Sequence, residues 1–440
     1  MVERNMEWSK YHHTLAKLTP VTFHGKVTQV VGLTIEGYGV GSFVGELCDV
    51  FPQGGGSPLR AEVIGFRDNR VVLMPLGEVR GIGPGSRITG LNRRATVTIG
   101  EELLGRVIDG LGKPLDERGP LPAGKEYPLY AEPTNPLHRR RIKNPLDVGI
   151  KAINTLLTCG KGQRMGIFSG SGVGKSVLLG MMARHTIAEV SIIALIGERG
   201  REVREFIERD LGEEGLRRSV VVVATSEQSP LVRVRGALVA STIAEYFRDQ
   251  GCDVLFMMDS ITRFAMAQRE IGLAAHEPPT TKGYTPSVFA MLPKLVERMG
   301  TQCDKGSITG LYTVLVENDD MNEPIADAVR SILDGHIVLS RDLANHNHYP
   351  AIDPLASVSR CMIDVVPLEH LDYARRLLSI LDTYRKAEDL INIGAYVAGS
   401  NPTIDYAISM IDKANQFLQQ PIGEKVSMEE SVQMMKKLFH

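Results

Sequence analysis

Eight consecutive residues, Ser169-Gly170-Ser171-Gly172-Val173-Gly174-Lys175-Ser176, concentrate the most specific chemistry in this chain. Glycines at this spacing let successive backbone N–H groups converge on phosphate oxygens, the lysine reaches the β- and γ-phosphates, and the final hydroxyl can ligate magnesium. Such a loop works only between a strand and a helix. The flanks fit: an apolar run ends at Phe168, and Val177, Leu178 and Leu179 open a helical pattern. The generic pattern starts with glycine, where this chain has Ser169. The chemistry implied is binding of ATP with Mg2+ by the segment from Ser169 to Val177.

Two carboxylates stand where such chemistry needs them. Four apolar residues, Leu255 to Met258, precede Asp259; a carboxylate at the end of a buried strand can hold magnesium through water. Many strands end in Asp as a helix cap, so the specificity lies in the combination with the loop. Glu198 follows the apolar run Ser191 to Ile196 and is the candidate for orienting or deprotonating an attacking water. The alternative is an acid in a first helical turn, favoured by the helix dipole. Two further clusters are read as inert. His346-Asn347-His348 has no third metal ligand at usable spacing, and Arg139-Arg140-Arg141 is a short charge run; both are expected to be solvated.

These residues need a scaffold, and 440 residues exceed one ordinary hydrophobic core. From Val21 to about residue 93 short β-branched runs broken by glycine predict a small β-barrel, with Arg67-Asp68-Asn69 as a hairpin turn. Between residues 20 and 92 six basic residues (Lys26, Arg60, Arg67, Arg70, Arg80, Arg87) meet six acidic ones, so the electrostatic footprint of nucleic-acid binding is missing. After a proline-rich connector, apolar strands alternate with helical patterns: Arg164 to Phe168, Ser191 to Ile196, Val220 to Ala224, Val254 to Met258, Ile308 to Val316 and His336 to Leu339. Their apolar character predicts an α/β sheet buried on both faces. Beyond about Val366 only helical periodicity remains, with a capping box at Ser427 and Glu430. Residues 1–20 place Trp8, Tyr11, Leu15 and Leu18 on one face of a short amphipathic helix, a candidate docking segment.

Composition bounds the rest. Lys and Arg number 50 against 52 Asp and Glu, which gives no global pull toward nucleic acid or anionic lipid. The five cysteines are scattered singly, as expected of free thiols in a reducing compartment, and are read as inert core residues. Without a leader-like start or a membrane-length apolar run, the expectation is a cytoplasmic protein.

Five segments carry a family resemblance: GRVIDGLGKPLDERGP (105–120), GERGREVREFIERDLG (197–212), MMDSITRFAMAQREIGLA (257–274), EPPTTKGYTPSVFAMLPKLVER (277–298) and DDMNEPIADAVRSILDGHIVLSR (319–341). Together they resemble the type III export branch of the rotary ATPase superfamily, the flagellar export ATPases most of all, with Thr280 to Lys282 unlike the injectisome relatives. The resemblance implies an N-terminal barrel for oligomerisation (21–93), a RecA-type P-loop ATPase domain (94–365) and a C-terminal helical domain (366–440). It implies Glu198 as the water-activating carboxylate with Arg199 and Glu202 beside it, Arg263 near the γ-phosphate, and Arg360 as the arginine finger given to a neighbouring copy. Tyr349 is implied to stack on adenine and Phe417 to add an aromatic to that pocket, where Ile422 replaces another. Small residues at the position of Ser169 also occur in the family. The implied partners are five further copies in a homohexamer, a stator-like regulator on residues 1–20, a central-stalk-like protein, an export gate, and substrate or chaperone complexes. Contact with the inner face of the membrane is implied to be peripheral only, with no nucleic acid.

Overall fold

The computed structural model describes residues 23–122, 124–303, 305–316 and 320–440, so the expected helix around Trp8 lies outside the described residues. The chain divides into two compact units between Ala95 and Thr96.

In the first unit six strands close into a barrel: β1 (His24–Val31), β2 (Thr34–Tyr38), β3 (Glu46–Val50), β4 (Leu59–Arg67), β5 (Arg70–Pro75) and β6 (Arg87–Arg94), in the order β1-β2-β5-β4-β3-β6. Closure leaves no unpaired sheet edge. Alternating residues point inward, and Val27, Ile35, Cys48, Val63, Leu73 and Ile88 fill the interior. The β4–β5 hairpin turns on Asp68 and Asn69, both at positive φ (44° and 64°), with Arg67 paired to Arg70. Two positive φ values match a type I′ turn, whose twist suits the flanking strands.

The second unit is built on a sheet whose main path runs β14 (Ile352–Ser359), β13 (Gly335–Leu339), β8 (Arg164–Ser169), β12 (Ser307–Leu315), β11 (Asp253–Asp259), β9 (Val190–Ile196), β10 (Ser219–Ala224) and β7 (Val107–Asp109). The six strands expected from apolar runs form its parallel centre, β8 to β13. Every residue of β9 and of β10 is buried, as a sheet covered on both faces requires. Two strands had no clear signal in the sequence. β7 pairs parallel to β10 over three residues, and β14 closes the other edge antiparallel to β13.

Helices α1 (Lys175–His185), α2 (Gly200–Glu205), α3 (Pro230–Asp249), α4 (Ile261–Ala274), α5 (Leu368–Asn392), α6 (Pro402–Leu418) and α7 (Met428–Lys437) complete the frame. The last opens on the expected capping box, Ser427 with Glu430. Leu371, Leu377, Ala414, Phe417 and Met435 of the C-terminal helices share one hydrophobic core with Met165, Ile167 and Leu179 beneath the phosphate loop. No helix among the described residues is long and apolar enough to cross a membrane.

Candidate active site

Parallel strands bring their carboxyl ends to one edge of the sheet, and the candidate residues gather there. β8 ends at Ser169, β11 ends at Asp259, and β9 ends one residue before Gly197-Glu198. The loop after β8 runs into α1 through Gly172 and Gly174, at φ 80° and 88°. No side chain caps α1 and no acid sits in its first turn. Its N-terminal N–H groups therefore face the loop as donors for an anion.

Lys175 Nζ lies 2.5 Å from Asp259 Oδ1 and 3.9 Å from Glu198 Oε1. Thr313 Oγ1, from β12 between β8 and β11, donates to Asp259 Oδ1 at 2.7 Å. All three charged side chains are nearly buried, at 12% for Lys175, 14% for Glu198 and 5% for Asp259. Burial pushes the Glu198 carboxyl up, to about 8; the Asp259 charge adds to the rise and Lys175 opposes it. The neighbouring Glu198 carboxyl in turn holds the Glu202 carboxyl below its usual range.

A cavity of about 860 Å3 opens over this group, lined by Ser169 to Gly172, Gly174 to Val177, Glu198, Arg199, Glu202 and Arg263. Ser169 Oγ, Glu198 Oε1 and Arg263 Nε are buried without a hydrogen-bond partner. Buried polar atoms are ordinarily paired, so three orphans on one cavity wall suit a strongly polar ligand such as a triphosphate. Ser176 and Asp259 add a hydroxyl and a carboxylate, oxygen donors of the kind magnesium takes while keeping several waters. Gly197 has φ 73°, and a Cβ there would lie 2.7 Å from Arg263 Cβ. Only glycine lets the Arg263 stem pass over that turn.

A second cavity, of about 590 Å3, shares Gly172, Gly174 and Val177 with the first and adds Val173, Tyr349, Pro350, Gln420 and Ile422. The Tyr349 ring lies beside Gly174, its Cε1 3.4 Å from where a Cβ there would stand, and the residue is 41% exposed. That places a flat aromatic face beside the phosphate loop.

Two expected site residues are not brought here. Phe417 is 5% exposed and packs into the core on the inner face of α6, with Ala414 and Leu418; the pocket wall begins only at Gln419. Arg360 follows β14, which runs antiparallel to β13 with Ser359 opposite Gly335 and Ile352 opposite Leu339. Its backbone is thus at the far edge of the sheet, about 13 Å from the loop edge along β13 at the usual rise per residue. The Arg360 side chain is exposed.

Several groups were not singled out from sequence. Thr313 is a fully buried hydroxyl in an apolar strand, a type of residue that must find a partner, and that is the signal that finds it. Arg269, Lys282, Glu323 and Arg341 line the large cavity from separate elements, and no local pattern unites them. The two runs read as solvated are only partly so. His348 is 6% exposed, and Arg139 reaches inward, donating to the Met299 carbonyl at 2.6 Å. Cys303, expected in the core, is exposed.

Comparison with known proteins agrees along the chain. Residues 149–359 match the nucleotide-binding domain of the ATP synthase alpha/beta family, residues 27–92 its beta-barrel domain, and residues 366–437 the T3SS EscN ATPase C-terminal domain. The chain is 54% identical to the flagellum-specific ATP synthase of Bacillus subtilis (strain 168), over 94% of this chain and 95% of the relative. It is similar to the assembled ATPase EscN from the enteropathogenic E. coli type III secretion system (TM-score 0.90, 45% identity, 94% of this chain and 100% of that chain). It is also similar to EscN in complex with its central stalk EscO (TM-score 0.87, 44% identity, the same coverages).

Proposed function

We propose, from the premise that this chain belongs to the ATP synthase alpha/beta family and is an ATPase of its flagellar and type III secretion branch, that it hydrolyses ATP at sites shared between copies of itself. The observation that carries this reading is the division of the site. Lys175, Glu198 and Asp259 converge at one edge of the sheet, while Arg360 is presented, exposed, at the other. A residue that cannot reach its own site can serve a neighbour's, and copies that each give and receive close into a ring, in this reading a homohexamer.

In this account the phosphates lie along the loop and the N-terminus of α1, with Lys175 on the β- and γ-oxygens and the adenine against Tyr349. Ser176 and, through water, Asp259 would hold a magnesium ion, which supplies neutralisation of the phosphate oxygens when bound. Lys175 leaves Asp259 for the phosphates as nucleotide enters. Glu198 orients the attacking water and takes its proton, Arg199 and Glu202 hold that carboxylate in place, and Arg263 meets the γ-phosphate. Arg360 of the adjacent copy stabilises charge in the transition state.

The work done is protein export, and the flagellar system is favoured over an injectisome because the flagellum-specific relative is the more similar. A stator-like regulator on residues 1–20, a central-stalk-like protein within the ring, an export gate and cargo–chaperone complexes complete the assembly, with the enzyme cytoplasmic and peripheral at the membrane. ATPase rate against protein concentration tests the shared site: specific activity should rise as rings form. Specific activity that stays constant down to dilutions where the protein is monomeric overturns it.

A further inference from the structure

The backbone of Arg360 is held by a partly buried ion-pair cluster. The Arg360 N–H donates to the Asp334 carbonyl at 3.0 Å. The Asp334 carboxylate is clasped by the Arg164 fork, Nε to Oδ2 at 2.9 Å and Nη2 to Oδ1 at 3.0 Å, and accepts the Arg164 backbone N–H at 3.0 Å. Arg164 also pairs with Glu297, and its side chain is only 16% exposed. A bidentate fork fixes orientation as well as distance. Gln163 adds a second tie, donating to the Asp334 carbonyl at 3.2 Å and to Ser359 Oγ at 3.1 Å. Ser359 Oγ in turn donates to the Thr158 carbonyl at 2.8 Å.

We infer that Arg164 and Asp334 are positioning residues for the reaction in the neighbouring copy's site, acting through Arg360. This rests on the shared-site reading above. The clamp sets the peptide from which Arg360 projects, so the guanidinium enters the adjacent cavity from a fixed base. A rigid base matters because misplacement by about 1 Å can cost on the order of a hundredfold in rate. The rival assignment is local, because Arg164 also starts β8, the strand that leads to the phosphate loop of its own chain.

Mixed rings separate the two. Arg164→Lys keeps the charge but loses the fork. Expected alone is a fall in kcat of about tenfold or more with KM and nucleotide affinity nearly unchanged. Mixed with Lys175→Ala, whose clamp and Arg360 are intact, activity should return, since about one interface in four then joins a sound loop to a sound finger. Mixed with Arg360→Ala it should not. The reverse pattern, or wild-type turnover by Arg164→Lys, overturns the assignment. The control is Lys175→Ala with Arg360→Ala: if these do not complement, the shared-site reading fails, not the clamp. Should Arg164→Lys not assemble, Ser359→Ala loosens the same base and is expected to give the same pattern; complementation by Arg360→Ala instead of Lys175→Ala overturns the inference.

Discussion

Lys175 Nζ sits 2.5 Å from Asp259 Oδ1, so a lysine delivered by the loop after one strand neutralises a carboxylate delivered by the end of another. The pair ties the phosphate loop to the end of β11. It also means that one substitution exposes two functions.

Lys175→Ala should abolish turnover, by about a hundredfold or more for one lost charged donor to the phosphates. The nucleotide-free protein should also melt at a lower temperature, because Asp259 is left buried without its cation. Calorimetry of the two proteins checks this, and a melting temperature equal to or above wild type contradicts it.

Glu198→Gln should move the two properties in opposite directions. Turnover should fall by about a hundredfold to ten-thousandfold with the loss of the carboxylate. Nucleotide should still bind. The nucleotide-free protein should melt higher, because an amide removes a buried acid that stands beside the Asp259 charge. Fluorescent-nucleotide titration and calorimetry read these separately.

Gly197→Ala should damage catalysis without touching a charged group. A non-glycine residue at φ 73° costs about 1–2 kcal/mol, and the added Cβ meets the Arg263 stem. Expected are a lower melting temperature and a lower kcat from displaced Arg263. A variant with wild-type kcat separates Arg263 from the γ-phosphate.

Much of this was legible because its signals are local. The loop from Ser169 to Ser176 needs only a strand before it and a helix after it, and β8 and α1 supply both within 22 residues, Arg164–His185. The central strands announced themselves as apolar runs because burial on both faces leaves no polar alternation. β7 did not, since three residues after a charged turn carry no periodicity, and β14 contains Pro354 and is half-buried or exposed from Leu355 to Val358. Phe417 shows the limit of matching position by position: a residue on the correct stretch of helix points into the core when the helical period turns it there. Arg139 shows the opposite error, a charged run read as solvated whose first member closes a long-range contact with Met299. Neither outcome can be read from neighbours in sequence.

Acid should destabilise the second unit through buried histidine. His370 Nε2 donates to the Thr155 carbonyl at 2.8 Å, and the ring is 4% exposed. Burial, with a smaller push from Lys436, holds its pKa below the ordinary value, against the hydrogen bond to Thr155. Below about pH 6.5 the unfolded chain binds a proton that the folded one does not, so stability falls as pH drops. Between about pH 7.5 and 5.5 the melting temperature of His370→Gln, which can still donate to Thr155, should rise relative to wild type as pH falls. Parallel curves for the two proteins count against the assignment.

The central claim is that each site is made by two chains, and mixing tests it most directly. Lys175→Ala and Arg360→Ala should each be inactive alone. Combined before ring assembly, they should recover activity approaching one quarter of wild type, since about one interface in four pairs an intact loop with an intact finger. Activity in the mixture no greater than in either variant alone would contradict the shared site.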